Sequence, residues 1–354
     1  MRLLHTSDWH LGRSLHRADL RDAQAAFIDH LVETVRSEKV DTVLVAGDVY
    51  DRAVPSLDAV ELCGEAFTRV RETGAQVVVI SGNHDSATRL GFGAQLLDRS
   101  GVYLRTQPTL EPVVLGDIPF YAVPFLDPAP LAEHLQQVAA VAPPYAVVVA
   151  HGWVAGGAAS DSERDVTVGG VGSIAPRLFD GFAYSALGHL HGPQTIREGL
   201  RYSGSPLAFS FSEASHTKGS WIVETGTTGL QQVDFVPAPV PRRLSALRGE
   251  LLTLLADPGL AGQEDDWLSV TLTDAARPED AMTRLSVRFP HVLVLTHEPA
   301  GVARPEQTYA ARVTGRTDQQ VAVAFVEHVR GTVADEAESV LLQQALEATR
   351  PVSA

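Results

Sequence analysis

Apolar positions along this chain repeat with two different periods, and the switches between them mark its elements. The runs Thr42-Val43-Leu44-Val45 and Val77-Val78-Val79-Ile80 are β-branched or aliphatic throughout and are soon followed by glycine, the signature of a buried strand ending in a turn. Between them, from about Ser56 to Arg71, apolar residues return at helical spacing behind Pro55. This predicts a strand–helix–strand unit whose two turns share the carboxyl-end edge of a parallel sheet. The same reading predicts an opening strand at Arg2–Thr6 and a helix over about Asp19–Val35, through Leu20, Ala23, Phe27, Leu31 and Val35. It also predicts a helix near Ala87–Leu97, mostly antiparallel strands over Val102–Pro124, and a helix at Leu131–Val141. Buried strands are expected at Tyr145–Ala150 and Ala183–Leu187.

The clearest boundary is Val236-Pro237-Ala238-Pro239-Val240-Pro241, since alternating prolines cannot join a ladder and favour an extended spacer. The chain thus divides into residues 1–238, a smaller α+β segment over 239–315 and a helical end over 316–354. Within the second segment the pattern predicts a helix at Leu244–Leu255, a strand at Trp267–Thr273, a helix at Pro278–Val287 and a strand at Val292–Leu295. Helices are expected at about Asp318–His328 and Asp335–Ala348.

Composition narrows the function classes. With 354 residues, 45% hydrophobic and 20% charged, the chain has material for a sizeable core, and its apolar runs are strand length, too short to span a membrane. The start shows no apolar signal core or cleavage site, so a cytoplasmic location is expected. Cys63 is the one cysteine, which rules out an intramolecular disulfide and thiolate clusters; any metal must use carboxylates, amides and the 13 histidines. A net charge of −15 means a nucleic-acid partner would be met by a local arginine patch or by bound metal. Lys39 and Lys218 are the only lysines.

The chemistry lies at the strand ends. Asp8 and His10 follow the first strand, Asp48 the second and Asn83 with His84 the third; His151 ends a fourth, and His189 with His191 a fifth. Such nitrogen and oxygen ligands suit Mn, Fe or Zn, and seven are too many for one ion. Two ions ~3.5–4 Å apart would clamp the attacking and leaving oxygens of a displacement at phosphorus.

The motifs Asp8-x-His10, Gly47-Asp48-x-x-Asp51, Gly82-Asn83-His84-Asp85, His151 and Gly188-His189-x-His191 resemble the calcineurin-like metallophosphoesterases. More narrowly, the chain is similar to the SbcD-type nuclease subunits of bacterial SbcCD complexes. The supporting stretches are His5-Thr6-Ser7-Asp8-Trp9-His10-Leu11-Gly12, Ser162-Glu163-Arg164, Leu187-Gly188-His189-Leu190-His191 and Tyr202-x-Gly204-Ser205-Pro206. The resemblance covers about the first 240 residues. It implies an α/β/β/α sandwich of two mixed sheets, with a small α+β capping domain at 239–315 and C-terminal helices at 316–354 that bind the SbcC ATPase subunit. It implies one metal on Asp8, His10, Asp48 and His191, and another on Asp48, Asn83, His151 and His189, with Mn²⁺ expected and Mg²⁺, Fe²⁺ or Zn²⁺ open. His84 would position the scissile phosphate or protonate the leaving 3′ oxygen, and Asp85 would orient His84.

The activity implied is 3′–5′ exonuclease action on duplex DNA with endonuclease cutting of single strands and hairpins, gated by SbcC, in DNA repair, recombination and replication at the nucleoid. A homodimer is expected through the helix near Leu20–Leu31, and SbcC contacts through Phe325, Val340, Leu341 and Leu346. Arg13, Arg17, Arg52, Arg89, His16 and Tyr50 lie close to the metal turns as either DNA contacts or ordinary surface. Two other readings remain open from the residues: a phosphoesterase for small molecules or phosphoproteins, and a scaffold whose metals only brace a DNA-binding complex.

Overall fold

The computed structural model describes residues 1–163, 172–299 and 316–348. Two six-stranded sheets lie face to face. Across the first, the order is Gly229–Pro237, Gly219–Gly226, Arg2–Thr6, Thr42–Ala46, Gln76–Ile80, Val102–Arg105. Its last four strands are parallel, and Gly219–Gly226 pairs antiparallel with Arg2–Thr6. Across the second, the order is Gln194–Arg197, Leu200–Tyr202, Tyr184–Gly188, Val147–His151, Ile118–Val123, Val113–Leu115. Its four central strands are parallel and each edge strand is antiparallel.

Side-chain alternation makes the layers. Along Thr42–Ala46, Val43 and Val45 join the cluster under the helices Arg21–Ser37 and Leu57–Glu72, while Leu44 and Ala46 face the other sheet. In the second sheet Val147, Val149, Tyr184 and Ala186 face inward, and Val148, Ala150 and Leu187 pack outward with Leu131, Leu135 and Val138 of the helix Pro128–Val141. Both faces of each central strand are therefore buried, which is why these strands read as continuous apolar runs. The result is a four-layer α/β/β/α sandwich.

Several expectations are corrected. The helix expected over Ala87–Leu97 is two short pieces, Ala87–Leu90 and Ala94–Asp98, because Gly93 between them sits at φ 74°. Val102–Arg105 and Ile118–Val123 are parallel to their inner neighbours, so only Val113–Leu115 makes that region antiparallel. The helix expected over Leu244–Leu255 is a strand, Leu244–Gly249, followed by a short helix, Leu251–Ala256. The strand pairs in parallel with Trp267–Leu272, which pairs with Val292–His297. These three strands and the helix Ala281–Arg288 enclose their own core of Leu247, Leu251, Leu268, Val270, Leu285 and Phe289. The strand Gly229–Pro237 also runs into the proline-rich stretch, so the spacer starts after it.

The helix Arg21–Ser37 does not offer the apolar face expected for a partner: Leu20, Phe27, Ile28 and Leu31 are each 2% exposed or less. Large exposed apolar side chains lie instead at Leu57 and Val60 of the next helix and at Phe92 and Leu96. The terminal helices, Asp318–Arg330 and Glu336–Ala348, are joined through Gly331 at φ 77°. Phe325, Val340 and Leu341 are exposed there. Among the described residues no helix is long and apolar enough to cross a membrane.

A buried histidine helps tie the sheets together. His5, fully buried in the strand Arg2–Thr6, directs Nε2 at the Leu187 carbonyl (3.0 Å) and Nδ1 at the Tyr184 hydroxyl (2.9 Å). A carbonyl only accepts, so Nε2 carries the proton and Nδ1 receives the hydroxyl. Burial pushes the His5 pKa from 6.5 down to about 3, outweighing the hydrogen bond to Leu187. The folded protein therefore binds fewer protons here than the unfolded chain, and this contribution is lost as pH falls from 6.5 toward 3. His5→Gln keeps a donor and an acceptor in place but cannot titrate. Between pH 6 and pH 4 the parent should lose about 1 kcal/mol more per pH unit than the variant in urea unfolding. Parallel pH profiles for the two proteins would refute this.

Candidate metal centre

The carboxyl ends of strands from both sheets meet at one seam. The first two turns are laced together by main-chain hydrogen bonds from Asp8 to Gly47 (3.0 Å), His10 to Asp48 (3.0 Å) and Leu11 to Val49 (2.9 Å). The seam requires glycine on steric grounds: a Cβ on Gly188 would overlap the Ala46 carbonyl oxygen, and one on Gly82 would overlap the Asp48 carboxylate. Asp8 (φ 53°), His10 (φ 44°), Asp48 (φ 49°) and His189 (φ 111°) all hold positive φ, a conformation that costs a non-glycine residue about 1 kcal/mol or more.

All seven residues expected as ligands come together. Asp48 is central: its Oδ1 accepts the His84 amide (2.8 Å), and its Oδ2 lies 3.6 Å from Nε2 of His10 and 3.6 Å from Nε2 of His151. His10 and His191 bring their Nε2 atoms within 3.1 Å of each other. Asn83 Oδ1 lies 2.9 Å from His151 Nε2 and 3.2 Å from His189 Nδ1. Asp8 accepts the His189 amide at 3.0 and 3.1 Å, and also Ser7 Oγ. Ligand atoms of Asp8, His10 and His191 lie within 4.8 Å of one another, as do those of Asp8, Asp48 and His151.

The donor set fits divalent cations. Burial holds His151 and His189 down at about 3 and lowers His10 and His191 too, so all four rings are neutral and present lone pairs. Asp8 is pushed well above its usual value by burial and then by the charge of Asp48, the mark of adjacent carboxylates lacking a counter-charge. Among the described residues, Nε2 of His189 and Nδ1 of His10 are buried without a hydrogen-bond partner. His151 donates Nδ1–H to the Ala46 carbonyl (2.8 Å), which turns its Nε2 lone pair inward.

His84 is 5% exposed, with its Nε2 4.0 Å from Asp48 Oδ2. Its ring does not lean on Asp85 as expected. Nδ1 is 2.8 Å from the Asp51 main-chain carbonyl, and Asp85 spends its carboxylate on the amides of Val49 (3.1 Å), Tyr50 (2.9 Å) and Gly82 (2.9 Å). Asp85 thus clamps the second and third turns together. The cause is local: three inward-pointing amides compete for the carboxylate ahead of a ring that already has a carbonyl. Burial and the Asp48 charge raise Asp85 to about 7, against the pull of those amides.

Of the neighbouring candidates, Arg17, His16, Arg52 and Arg89 are exposed around the rim. Arg13 is turned inward, stacked 4.7 Å from the Phe209 centroid and donating to the Ser162 carbonyl (2.9 Å). Tyr50 is buried against Cys63 and faces no ligand. Arg164 lies outside the described residues. Residues not singled out from the sequence are Phe209, edge-on to His10 and His191 at 5.3 and 5.6 Å, and the buried pair Glu213 and Lys218. Spacing gives no signal for a charged pair of this kind; the rarity of lysine was the one available hint.

Residues 1–193 match the calcineurin-like phosphoesterase family, and residues 240–330 match the SbcD C-terminal family, the type 5 capsule protein repressor C-terminal domain. Similar solved structures include an archaeal phosphodiesterase, 13% identical over 67% of this chain and 100% of its own, with a TM-score of 0.35. Another is the anchor in the inner membrane complex of Plasmodium, 13% identical over 86% of this chain and 99% of its own, with a TM-score of 0.40. A Thermus thermophilus protein is 10% identical over 67% of this chain and 98% of its own, also at 0.40. These overlaps are partial, and the assignment rests on the family matches. The chain belongs to the calcineurin-like phosphoesterase family, as a metallophosphoesterase of the SbcD type.

Proposed function

We propose that this protein is the nuclease subunit of an SbcCD-type complex and hydrolyses DNA phosphodiesters. The observation that carries the reading is the convergence of Asp8, His10, Asp48, Asn83, His151, His189 and His191 on one seam, with the buried His84 beside Asp48. Asp8, His10, Asp48 and His191 would hold one ion and Asp48, Asn83, His151 and His189 the other. Divalent ions there, Mn²⁺ by our reading, would supply Lewis acidity when bound.

The residues of the chain do the rest. His84, its Nδ1 tied to Asp51, holds Nε2 toward the reacting phosphate, where it positions an oxygen or hands a proton to the leaving 3′ oxygen. Asp85 acts through the turns it clamps. Arg17, Arg52 and Arg89 on the rim meet the phosphate backbone, which lets a chain of net charge −15 hold DNA locally. Residues 1–238 form the nuclease domain, 239–315 the cap and 316–354 the SbcC-binding region. The separate core under the sheet Leu244–His297 and the start of the C-terminal match at residue 240 support the boundary near 239. The C-terminal match also favours a nuclease over a small-molecule phosphodiesterase, which the metal centre alone would serve equally well.

Mn²⁺-dependent digestion of an end-labelled duplex, run beside a chromogenic phosphodiester, tests the reading. Duplex should shorten from its 3′ ends, Asp48→Ala should be inactive, and His84→Ala should lose about 10²–10⁴-fold while retaining both ions by elemental analysis. Turnover of the chromogenic ester with DNA left intact, with or without an SbcC-type ATPase and ATP, would reject it. Removal of residues 316–354 should abolish co-elution with the ATPase subunit and spare the isolated nuclease, in line with exposed Phe325, Val340 and Leu341 and half-buried Leu346. Co-elution of the shortened chain would refute that assignment. The homodimer contact moves to Leu57, Val60, Phe92 and Leu96, whose segments meet where Arg89 donates to the Ala53 carbonyl (3.4 Å). Phe92→Glu with Leu96→Glu should convert a dimer to a monomer in light scattering, and an unchanged mass would place the contact elsewhere.

A further inference from the structure

The ring of His191 is backed by a chain of buried charged side chains, where His151 has only the Ala46 carbonyl behind it. Its Nε2 faces His10, so Nδ1 is the far side of the ring, and Nδ1 meets Ser162 Oγ. Ser162 Oγ in turn donates to Glu213 Oε1 (2.6 Å). Because that hydroxyl spends its proton on Glu213, its oxygen receives Nδ1–H, which fixes the tautomer with the Nε2 lone pair toward the centre.

Glu213 is 1% exposed and its other oxygen pairs with the ammonium of Lys218, itself 5% exposed. Lys218 reaches back to the main-chain carbonyl of His191 (2.8 Å) and to Ser205 Oγ (2.9 Å). Glu163 takes the His191 amide (2.7 Å). One residue is thus gripped at its ring, its amide and its carbonyl by a buried carboxylate, a buried ammonium and a second carboxylate. Desolvating a carboxylate and an ammonium carries a cost that apolar residues of the same size would avoid.

We infer that Ser162, Glu213 and Lys218 form a positioning relay that sets the orientation of His191, and through it the affinity of one metal position and not the other. The inference rests on the two-ion reading above. The affected position is that of Asp8, His10 and His191, while the one built on Asn83, His151 and His189 shares no atom with the relay. None of the three relay residues is placed to touch the phosphate, so their action is on the ligand ring.

The test is titration of the metal-stripped full chain with Mn²⁺ by calorimetry, with the electron paramagnetic resonance spectrum followed in parallel. The parent should bind two ions and show the exchange-coupled spectrum of a Mn²⁺ pair. Ser162→Ala, which removes only the linking hydroxyl, should weaken one site 10–100-fold and leave the other unchanged. Single-ion spectra should then appear at intermediate metal, with the melting temperature of the metal-free protein unmoved. Ser162→Thr should restore the parent pattern, and Glu213→Gln combined with Lys218→Met should reproduce the one-site loss. A parent that binds no pair of ions would bring down the two-ion reading and this inference together. A parent with two sites and a Ser162→Ala variant that matches it at both would overturn the relay alone. So would equal weakening of both sites with a fall in melting temperature, which is what mere bracing of the loop would give.

Discussion

Two buried carboxylates set the terms for everything around them. Asp8 and Asp48 are 0% and 2% exposed, share one seam between the sheets, and are surrounded by imidazoles that burial keeps neutral. Concentrated negative charge in a dry site is tolerable only when a cation answers it. Among the described residues the nearby cations are already engaged, Lys218 by Glu213 and the main chain and Arg13 by Asp51, Phe209 and the Ser162 carbonyl. The remaining imbalance is what makes the seam a cation site, and the rest of the fold holds it open against collapse.

Holding it open is a matter of backbone. Four of the residues facing the seam sit at positive φ, and turns in that state relax unless something over-determines them. The restraint comes from three directions: the ladder between the first two turns, the Asp85 carboxylate bridging the second and third, and His189 hydrogen-bonded through its amide to Asp8 across the sheets. The outer helices contribute by burying the opposite face of the same strands, so that moving one turn would disturb a packed core.

Much of this was legible in the sequence because strand ends announce themselves. A β-branched run such as Val77–Ile80, followed by glycine and then Asn83 and His84, leaves little choice of element or edge. Legibility failed where two periods fit the same residues. Leu244, Leu247 and Leu251 satisfy helical spacing, and only pairing with the distant strand Trp267–Leu272 makes Leu244–Gly249 extended. It failed again for the helix near Leu20–Leu31, which the resemblance offered as a homodimer contact, since the fold buries Leu20, Phe27 and Leu31. Asp85 was expected behind His84 because catalytic imidazoles commonly lean on a carboxylate, whereas here the carboxylate accepts three turn amides. Glu213 and Lys218 carry no local pattern at all, since their meaning depends on a histidine more than twenty residues earlier in the chain.

The order in which the seam is stitched has a consequence for how the protein is made. Asp8 through Asn83 belong to the first sheet, while His151, His189 and His191 arrive with the second. The strand Arg2–Thr6 gains its second neighbour only when Gly219–Gly226 emerges. No ribosome-bound fragment ending before Glu213 contains the complete centre and its support. A growing chain therefore carries the residues of its phosphoesterase centre in two unconnected halves until the sandwich closes.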